Sequence, residues 1–489
     1  MAFNDKENEN FGNNYDPTSF DETHEDTALA QGEPGAGNPA QATGSDHDKV
    51  CEVCNKNPAD PTLALGNDYC KTCYRQMLKT PLRWQAFIAA ALAIFLSGVG
   101  VIVLAFTGLI ATHVSMGDSY AAQKQLKDAL DSYGEAYQIA NSFNSQLELE
   151  NFLTYGTKSF VKEMKVAAIA ESPLSVGQNL INANSDGKAF KNIWLRKLKP
   201  YNDTFEKFLA TRDAAEPIFA DYQDLEPKDV PYEDLVAKLE ALATGEDADR
   251  YDAYIIEYYK TYAAVLADKG AQTELEHMLK VKELAPEASW LYGYYLADCY
   301  RRLGDDQKII EISDELIENN KNSLEAYAMK ARLYAKNSDF EKAFEVSKEM
   351  KKYNENSAAA YALECELYRR QGDVDKAHEL CDEGFKADKG STELYRQLAI
   401  ILLLKGDKEA AYEAADEAYG SAYYSQDTTL ELINTVALCA YLAGEEEMYE
   451  ETVDLLESNG QSPAQNVLDI IEGKKTVQEV FLEGEGDVL

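Results

Sequence analysis

The chain has 489 residues with 47 Lys and Arg against 86 Asp and Glu, a formal net charge of −39. That length leaves room for two or more domains, and so acidic a body excludes unspecific nucleic-acid binding, which needs clustered Lys and Arg against phosphates. The first residues show no basic stretch followed by an apolar one, so no cleavable signal peptide is expected.

Residues 1–48 contain one Lys (Lys6) and eleven acids and are rich in Asn, Gly and Pro. They cannot bury enough apolar surface to offset chain entropy, and a disordered acidic tail is expected. Residues 49–80 then carry Cys51-x2-Cys54-x15-Cys70-x2-Cys73, a spacing that fits a four-thiolate metal site. Two thiolates three positions apart grip one ion from a tight knuckle, and a second knuckle completes a tetrahedron. The chain can bend at both: Asn55 and Asn57 follow the first pair, and Gly66-Asn67-Asp68 precedes the second. The segment resembles a short zinc ribbon, which implies a structural Zn²⁺ on Cys51, Cys54, Cys70 and Cys73. Two disulfides or redox-active pairs are the competing reading. Four Cys leave no open coordination position, so a catalytic metal is not expected.

From Trp84 to Gly117 there are 34 residues without Asp, Glu, Lys or Arg, and the core Phe87–Ile110 is Ala, Ile, Leu, Val, Phe and Gly in the main. About 20 apolar residues suffice to cross a bilayer as a helix, and one transmembrane helix is expected over 84–112. A buried helix of a soluble domain is the alternative. Lys71, Arg75, Lys79 and Arg83 precede the span, whereas Lys124 and Lys127 follow it closely. That excess, together with thiolates that persist best in a reducing compartment, places the N-terminus in the cytoplasm and the rest outside.

Beyond the span, residues 118–489 have a net charge of −32 and a 34-residue period. Gly270, Gly304, Ser338, Gly372 and Gly406 are evenly spaced. Seven positions earlier stand Ala263, Ala297, Ala331, Cys365 and Ala399; four earlier, Leu266, Tyr300, Tyr334, Tyr368 and Leu402. Five later stand Leu275, Ile309, Ala343, Ala377 and Ala411, and Asp305, Asp339, Asp373 and Asp407 follow the turn. Small residues let two helices approach closely, the Tyr/Leu column fills the space between units, Gly ends one helix and Asp starts the next. In YLADCYRRLGDDQKII, MKARLYAKNSDFEKAF, LECELYRRQGDVDKAH and LAIILLLKGDKEAAY the chain resembles the tetratricopeptide repeat family. The resemblance implies an all-α fold, a solenoid of helical hairpins over 247–457, with five units in register and a sixth after a four-residue shift. Residues 118–246, interrupted by five residues such as Pro173 and Gly187, read as irregular helical hairpins, and 458–489 as capping helices, with Ser462-Pro463 a helix start, and an acidic end that frays.

The five His form no metalloprotease motif, and no P-loop, Gly-x-Ser-x-Gly or dinucleotide fingerprint stands out. His277 and His378 are expected on helix surfaces. No enzyme activity, small-molecule substrate or nucleic-acid partner is expected. The resemblance implies a membrane-anchored scaffold that presents a groove to a protein or peptide. The alternative is a transmembrane sensor that couples ligand binding by the repeats to a partner of the ribbon. In this acidic array Arg301, Arg302, Arg332, Lys336, Arg369 and Arg370 gather before successive turns. In register they form a ridge that would hold an acidic peptide, unless they only complement helix dipoles. Cys365 and Cys381 lie at similar distances from Gly372 and should face each other, as buried free thiols or as a disulfide.

Overall fold

The computed structural model describes residues 49–60, 62–63, 68–79, 84–147, 154–184, 187, 189–222, 225–355, 357–425, 428–458 and 460–482. The acidic tail 1–48, the Gly66-Asn67 bend, Arg83 and the acidic end lie outside them. The chain divides into two compact units, one up to Phe95 and one from Leu96. In the first, a knuckle with one isolated bridge (Val50 to Pro58) leads to α1 (Lys71–Lys79) and the start of α2 (Trp84–Ala122). Helix α2 contains no proline, and it runs ten residues beyond the expected span end at 112.

In the second unit the described regular structure is helical throughout. After α2 come α3 (Leu126–Leu147), α4 (Thr154–Ala170), α5 (Pro173–Ala183), α6 (Lys199–Phe219) and α7 (Tyr232–Thr244). Then follow antiparallel pairs: α8 (Ala253–Leu266) with α9 (Ala271–Leu284), α10 (Ser289–Leu303) with α11 (Asp306–Asn319), and α12 (Leu324–Lys336) with α13 (Phe340–Tyr353). The series continues with α14 (Ala358–Arg370) and α15 (Val374–Ala387), α16 (Thr392–Lys405) and α17 (Lys408–Ser425), and α18 (Leu430–Ala443) and α19 (Glu446–Ser458). Two short helices, α20 (Gln465–Ile471) and α21 (Val477–Phe481), close it.

The repeat columns do what their chemistry requires. Ala263, Ala331, Cys365 and Ala399 are wholly buried, as are Ala343, Ala377 and Ala411, where the two helices of a hairpin touch. Gly304 and Gly406 cap their helices in the left-handed region, and Ser338 adopts the same conformation at φ 59°. The carboxylates of Asp305, Asp339, Asp373 and Asp407 accept the backbone N–H of Lys308, Lys342, Lys376 and Ala410, each cap worth about 1 kcal/mol. The four-residue shift before the sixth unit has a simple cause. Helix α17 has 18 residues where α9, α11, α13 and α15 have 14, one extra helical turn.

A further hairpin of this type lies before the regular array. The last turns of α2 pair with α3: Gly117 is buried against the Tyr133 ring, Ala129 is wholly buried, and Lys124 takes the left-handed turn at φ 61°. A methyl group on Gly117 would meet the Tyr133 Cε1 at 2.4 Å, so only glycine fits. Gly117, Tyr120 and Ala129 stand seven before, four before and five after Lys124, the same columns as in the later units. The Lys124 turn sits on the α11–α12 loop. Lys321 N–H donates to Lys124 O (2.7 Å), and the Asn322 amide bridges Asp128 Oδ2 (3.1 Å) and Tyr353 O (3.0 Å). Residues after the apolar stretch thus fold back onto the array.

Two expectations are corrected here. His277 is buried rather than on the surface: Nδ1 lies 3.0 Å from Glu257 Oε2 and Nε2 lies 2.9 Å from Tyr232 Oη. It joins α7 to α8 and α9. Burial alone would push the Glu257 carboxyl up, but hydrogen bonds from His277 and Lys260 hold it down at about 2. Helix α20 starts at Gln465, not at Ser462-Pro463, because Ala464 N–H is drawn to Asn434 Oδ1 at 2.7 Å.

Glu163, on α4, behaves oppositely: burial, then the nearby Glu171, pushes its carboxyl from 4.5 to about 7. A carboxyl raised in the folded state lends stability that is complete below 4.5 and is lost as pH rises through about 7. Glu163→Gln is therefore expected to gain about 1 kcal/mol at about pH 8, after allowance for partial solvent screening, and nothing below about pH 4. Urea titrations at the two pH values measure this. An equal effect at both would rule out the charge as the cause.

Candidate functional site

The cysteine cluster is built by two backbone devices. After Cys51 the chain closes a tight turn, with Asn55 N–H donating to Cys51 O (2.8 Å) and Asn55 at φ 50°, and Cys51 N–H reaches Asn57 O (2.9 Å). Cys70 immediately precedes α1, so Cys73 lies in the first turn of that helix, its N–H donating to Cys70 Sγ at 3.5 Å. The Asn57 amide supports the same sulfur at 3.7 Å. Cys51 and Cys70 are buried, Cys54 and Cys73 half-buried, and all four sulfurs lie within 4.8 Å of one another.

That spacing suits one ion. Four Zn–S bonds of about 2.3 Å in a tetrahedron put sulfurs roughly 3.8 Å apart, and Cys54 Sγ lies 3.9 Å from Cys70 Sγ. The electrostatics point the same way. The backbone N–H of Cys70 leads the groups that lower the Cys51 thiol to about 6. Cys70, in contrast, heads those that push the Cys73 thiol up to about 12. Four crowded sulfurs cannot all shed their protons unaided; a bound dication allows it. The four cysteines can hold a metal ion, and all four positions of a tetrahedron would then be protein sulfur.

The six basic side chains expected to form a ridge lie at the ends of α10, α12 and α14, but acids stand between them. Arg302 forks onto the buried Glu274 (Nη1 to Oε1 2.9 Å) and reaches Asp298 (2.9 Å), which also accepts from Arg301 (2.5 Å). Glu366, wholly buried, accepts Arg332 Nε at 2.8 Å and faces Arg370 at 3.6 Å. Lys336 lies 3.8 Å from Asp306. Arg369 is entirely enclosed: its Nη1 donates to Phe481 O (2.5 Å), Nε to Gln397 Oε1 (3.4 Å), and its guanidinium lies over the Phe481 ring. It therefore fastens the last helix to α14. The sequence does hold a signal for these acids. Asp298, Arg332 and Glu366 occupy one column 34 residues apart with alternating sign, and stacking sets neighbours of such a column face to face. Cys365 and Cys381 do meet across their hairpin as free thiols, sulfurs 3.1 Å apart and fully buried.

No protein-family model matches the chain, and no curated protein does. Among solved structures it is similar to a tetratricopeptide repeat protein from Parabacteroides merdae ATCC 43184, at 16% identity over 53% of this chain and 98% of the other, with a TM-score of 0.36. It is similar to yeast Tom70 at 12% identity over 76% and 96%, TM-score 0.34. A thermophilic TPR protein of Thermus thermophilus aligns at 18% identity over 38% and 98%, TM-score 0.30. The chain's own hairpins, with their caps and buried small-residue columns, make it an all-α helical-hairpin repeat of tetratricopeptide type.

Proposed function

We propose that this chain is a membrane-anchored, non-enzymatic interaction scaffold. Helix α2 crosses a bilayer, Cys51, Cys54, Cys70 and Cys73 fold the N-terminal module around one Zn²⁺, and the helical hairpins hold a protein or peptide partner. One observation carries the membrane reading: α2 presents apolar side chains outward along its length, with Ile94 75% and Leu104 73% exposed. Such a surface is stable only in lipid or against a partner. The excess of Lys and Arg before the span supports a cytoplasmic N-terminus and an external repeat array. The partner surface is proposed at the half-exposed members of the basic set, Arg301, Arg332 and Lys336, where an acidic side chain can exchange with the internal carboxylates. A second reading, a sensor coupling the array to the zinc module, is favoured by the unbroken run of α2 from Trp84 into the hairpin with α3.

Cysteine labelling tests the arrangement. Lys386 and Lys56 are both exposed, and the native cysteines of the array (Cys299, Cys365, Cys381 and Cys439) are buried, so background is low. On intact cells Lys386→Cys should react with an impermeant thiol reagent and Lys56→Cys should not. The reverse pattern overturns the topology, and equal labelling of both overturns the span. A photoreactive side chain at position 336 should then trap a protein in a salt-sensitive way that one at position 386 does not.

A further inference from the structure

Within a body of net charge −32, one stretch is basic. Residues 156–202 carry eight Lys and Arg but three acids (Glu163, Glu171 and Asp186), and five of the cations fall between Lys188 and Lys199. The described part of that segment folds as two short turns, Ala189–Lys191 and Leu195–Leu198. Leu198 is wholly buried and Leu195 is partly buried against the α3–α4 hairpin, which fixes the segment in place. Between them Ile193 points outward, 71% exposed. Trp194 beside it is flanked by two ammonium groups, Lys158 Nζ at 4.5 Å and Lys197 Nζ at 4.6 Å from the ring centroid. Arg196 spends two N–H groups on the carbonyls of Phe190 and Lys191, which shapes the turn and keeps its charge at the surface. Among the described residues no carboxylate pairs with Lys191, Arg196 or Lys197. The rest of the array, by contrast, matches most of its cations with acids.

The place of this patch in the fold matters as much as its charge. Ile110, the last residue of the apolar core, packs on Ala136 and Ala140 of α3. Ala140 and Asn141 share a small cavity with Gly156, Thr157 and Leu195. Ile193 and Trp194 are thus next in sequence to Leu195, which lines a cavity with Ala140, the residue against which Ile110 packs. An exposed isoleucine, a tryptophan with two lysine ammonium groups over its ring, and Arg and Lys that pair with no carboxylate among the described residues match the layer where aromatic rings and cations meet lipid phosphates.

We propose that residues 189–199 form an interfacial foot that rests on the bilayer crossed by α2, with Ile193 and Trp194 among the upper acyl chains and Lys191, Arg196 and Lys197 on anionic phospholipid headgroups. The inference rests on the reading of α2 as a span. The foot would give the array a second attachment to the membrane and so hold it at one tilt. Each cation at an anionic surface contributes roughly fivefold in partitioning, enough for three of them to decide whether the foot is down.

The test uses the full-length protein reconstituted into phosphatidylcholine vesicles, with or without phosphatidylglycerol, containing lipid brominated on its acyl chains. The part of the tryptophan quenching that disappears in Trp194→Phe reports the foot. Expected is strong quenching of that part in phosphatidylglycerol vesicles. It should fall to the level of neutral vesicles in Lys191→Glu/Arg196→Glu/Lys197→Glu and in the single variant Ile193→Glu, whose exposed position leaves folding untouched. Resistance of the protein to alkaline carbonate extraction reports the span separately. If the protein is integral and Trp194 is unquenched in both lipids, the foot is overturned while the span stands. If carbonate releases the protein, the span fails, and quenching of Trp194 still shows whether the patch binds lipid by itself. A patch that instead takes up an acidic protein would leave Trp194 unquenched in vesicles, which also overturns the proposal.

Discussion

Replacing Cys70 by serine is expected to lower the Zn²⁺ affinity of the N-terminal module by several orders of magnitude and to leave the purified full-length chain without its one equivalent of zinc. Structural zinc in small modules is worth about 10–16 kcal/mol, and nearly all of it is folding energy because so short a segment has little core. Cys70 is one of the two buried members of the set. Its sulfur accepts hydrogen bonds from the N–H of Cys73 and the amide of Asn57, which orient it toward the other three. Serine keeps the hydroxyl as a possible donor but at neutral pH gives up the thiolate that the metal requires. Metal analysis of protein purified under reducing conditions, followed by competition with a chelator, measures both quantities. Wild-type protein without zinc would remove the site altogether. Retention of a full equivalent by Cys70→Ser would show that the ion sits on other ligands.

The second large effect is expected inside the repeats. Glu366→Ala should cost about 3 kcal/mol, because it removes the buried carboxylate that Arg332 and Arg370 share and leaves Arg332 the longer contact to Glu393 at 3.8 Å. Removing one partner of a buried ion pair typically costs about 3–5 kcal/mol, and the lower end applies since Arg332 is partly open to solvent. Glu366→Gln retains an acceptor for one guanidinium and should cost less. Urea unfolding followed by helical circular dichroism would show the difference. A change below about 0.5 kcal/mol for the alanine variant would mean that solvent already screens the ladder. The same comparison bears on the partner surface. A ridge whose arginines are tied into such a ladder contributes stiffness to the stack, and only its outer members remain for a partner.

How far the sequence is legible depends on the range of the interaction behind each feature. The 34-residue columns report contacts within one hairpin or between neighbours, so the buried alanines, the capping aspartates and the turns at Gly304 and Gly406 are legible in the residues alone. The cysteine spacing is equally local: two knuckles, each closed by its own backbone hydrogen bonds, bring four sulfurs together. The apolar run of α2 is plain for the same reason, since length and composition suffice to define it.

What only the tertiary structure decided lies where distant segments meet. The hairpin of α2 with α3 obeys the repeat columns, but 146 residues separate Lys124 from Gly270, not a multiple of 34, so periodicity passes over it. His277 has an ordinary helical setting in the sequence and is buried because Tyr232, 45 residues earlier, closes over it. Arg369 looks like a helix-end cation until α21 arrives from 112 residues further on and takes its hydrogen bond. The basic segment around Trp194 is likewise only a charge run until the packing of Leu195 beside α3 gives it a place in the fold. Composition, period and spacing determine which local units can form. Which cations are neutralised, which side chains are enclosed and which face stays open follow from how those units are stacked, because burial and charge pairing are properties of neighbours in space rather than in sequence.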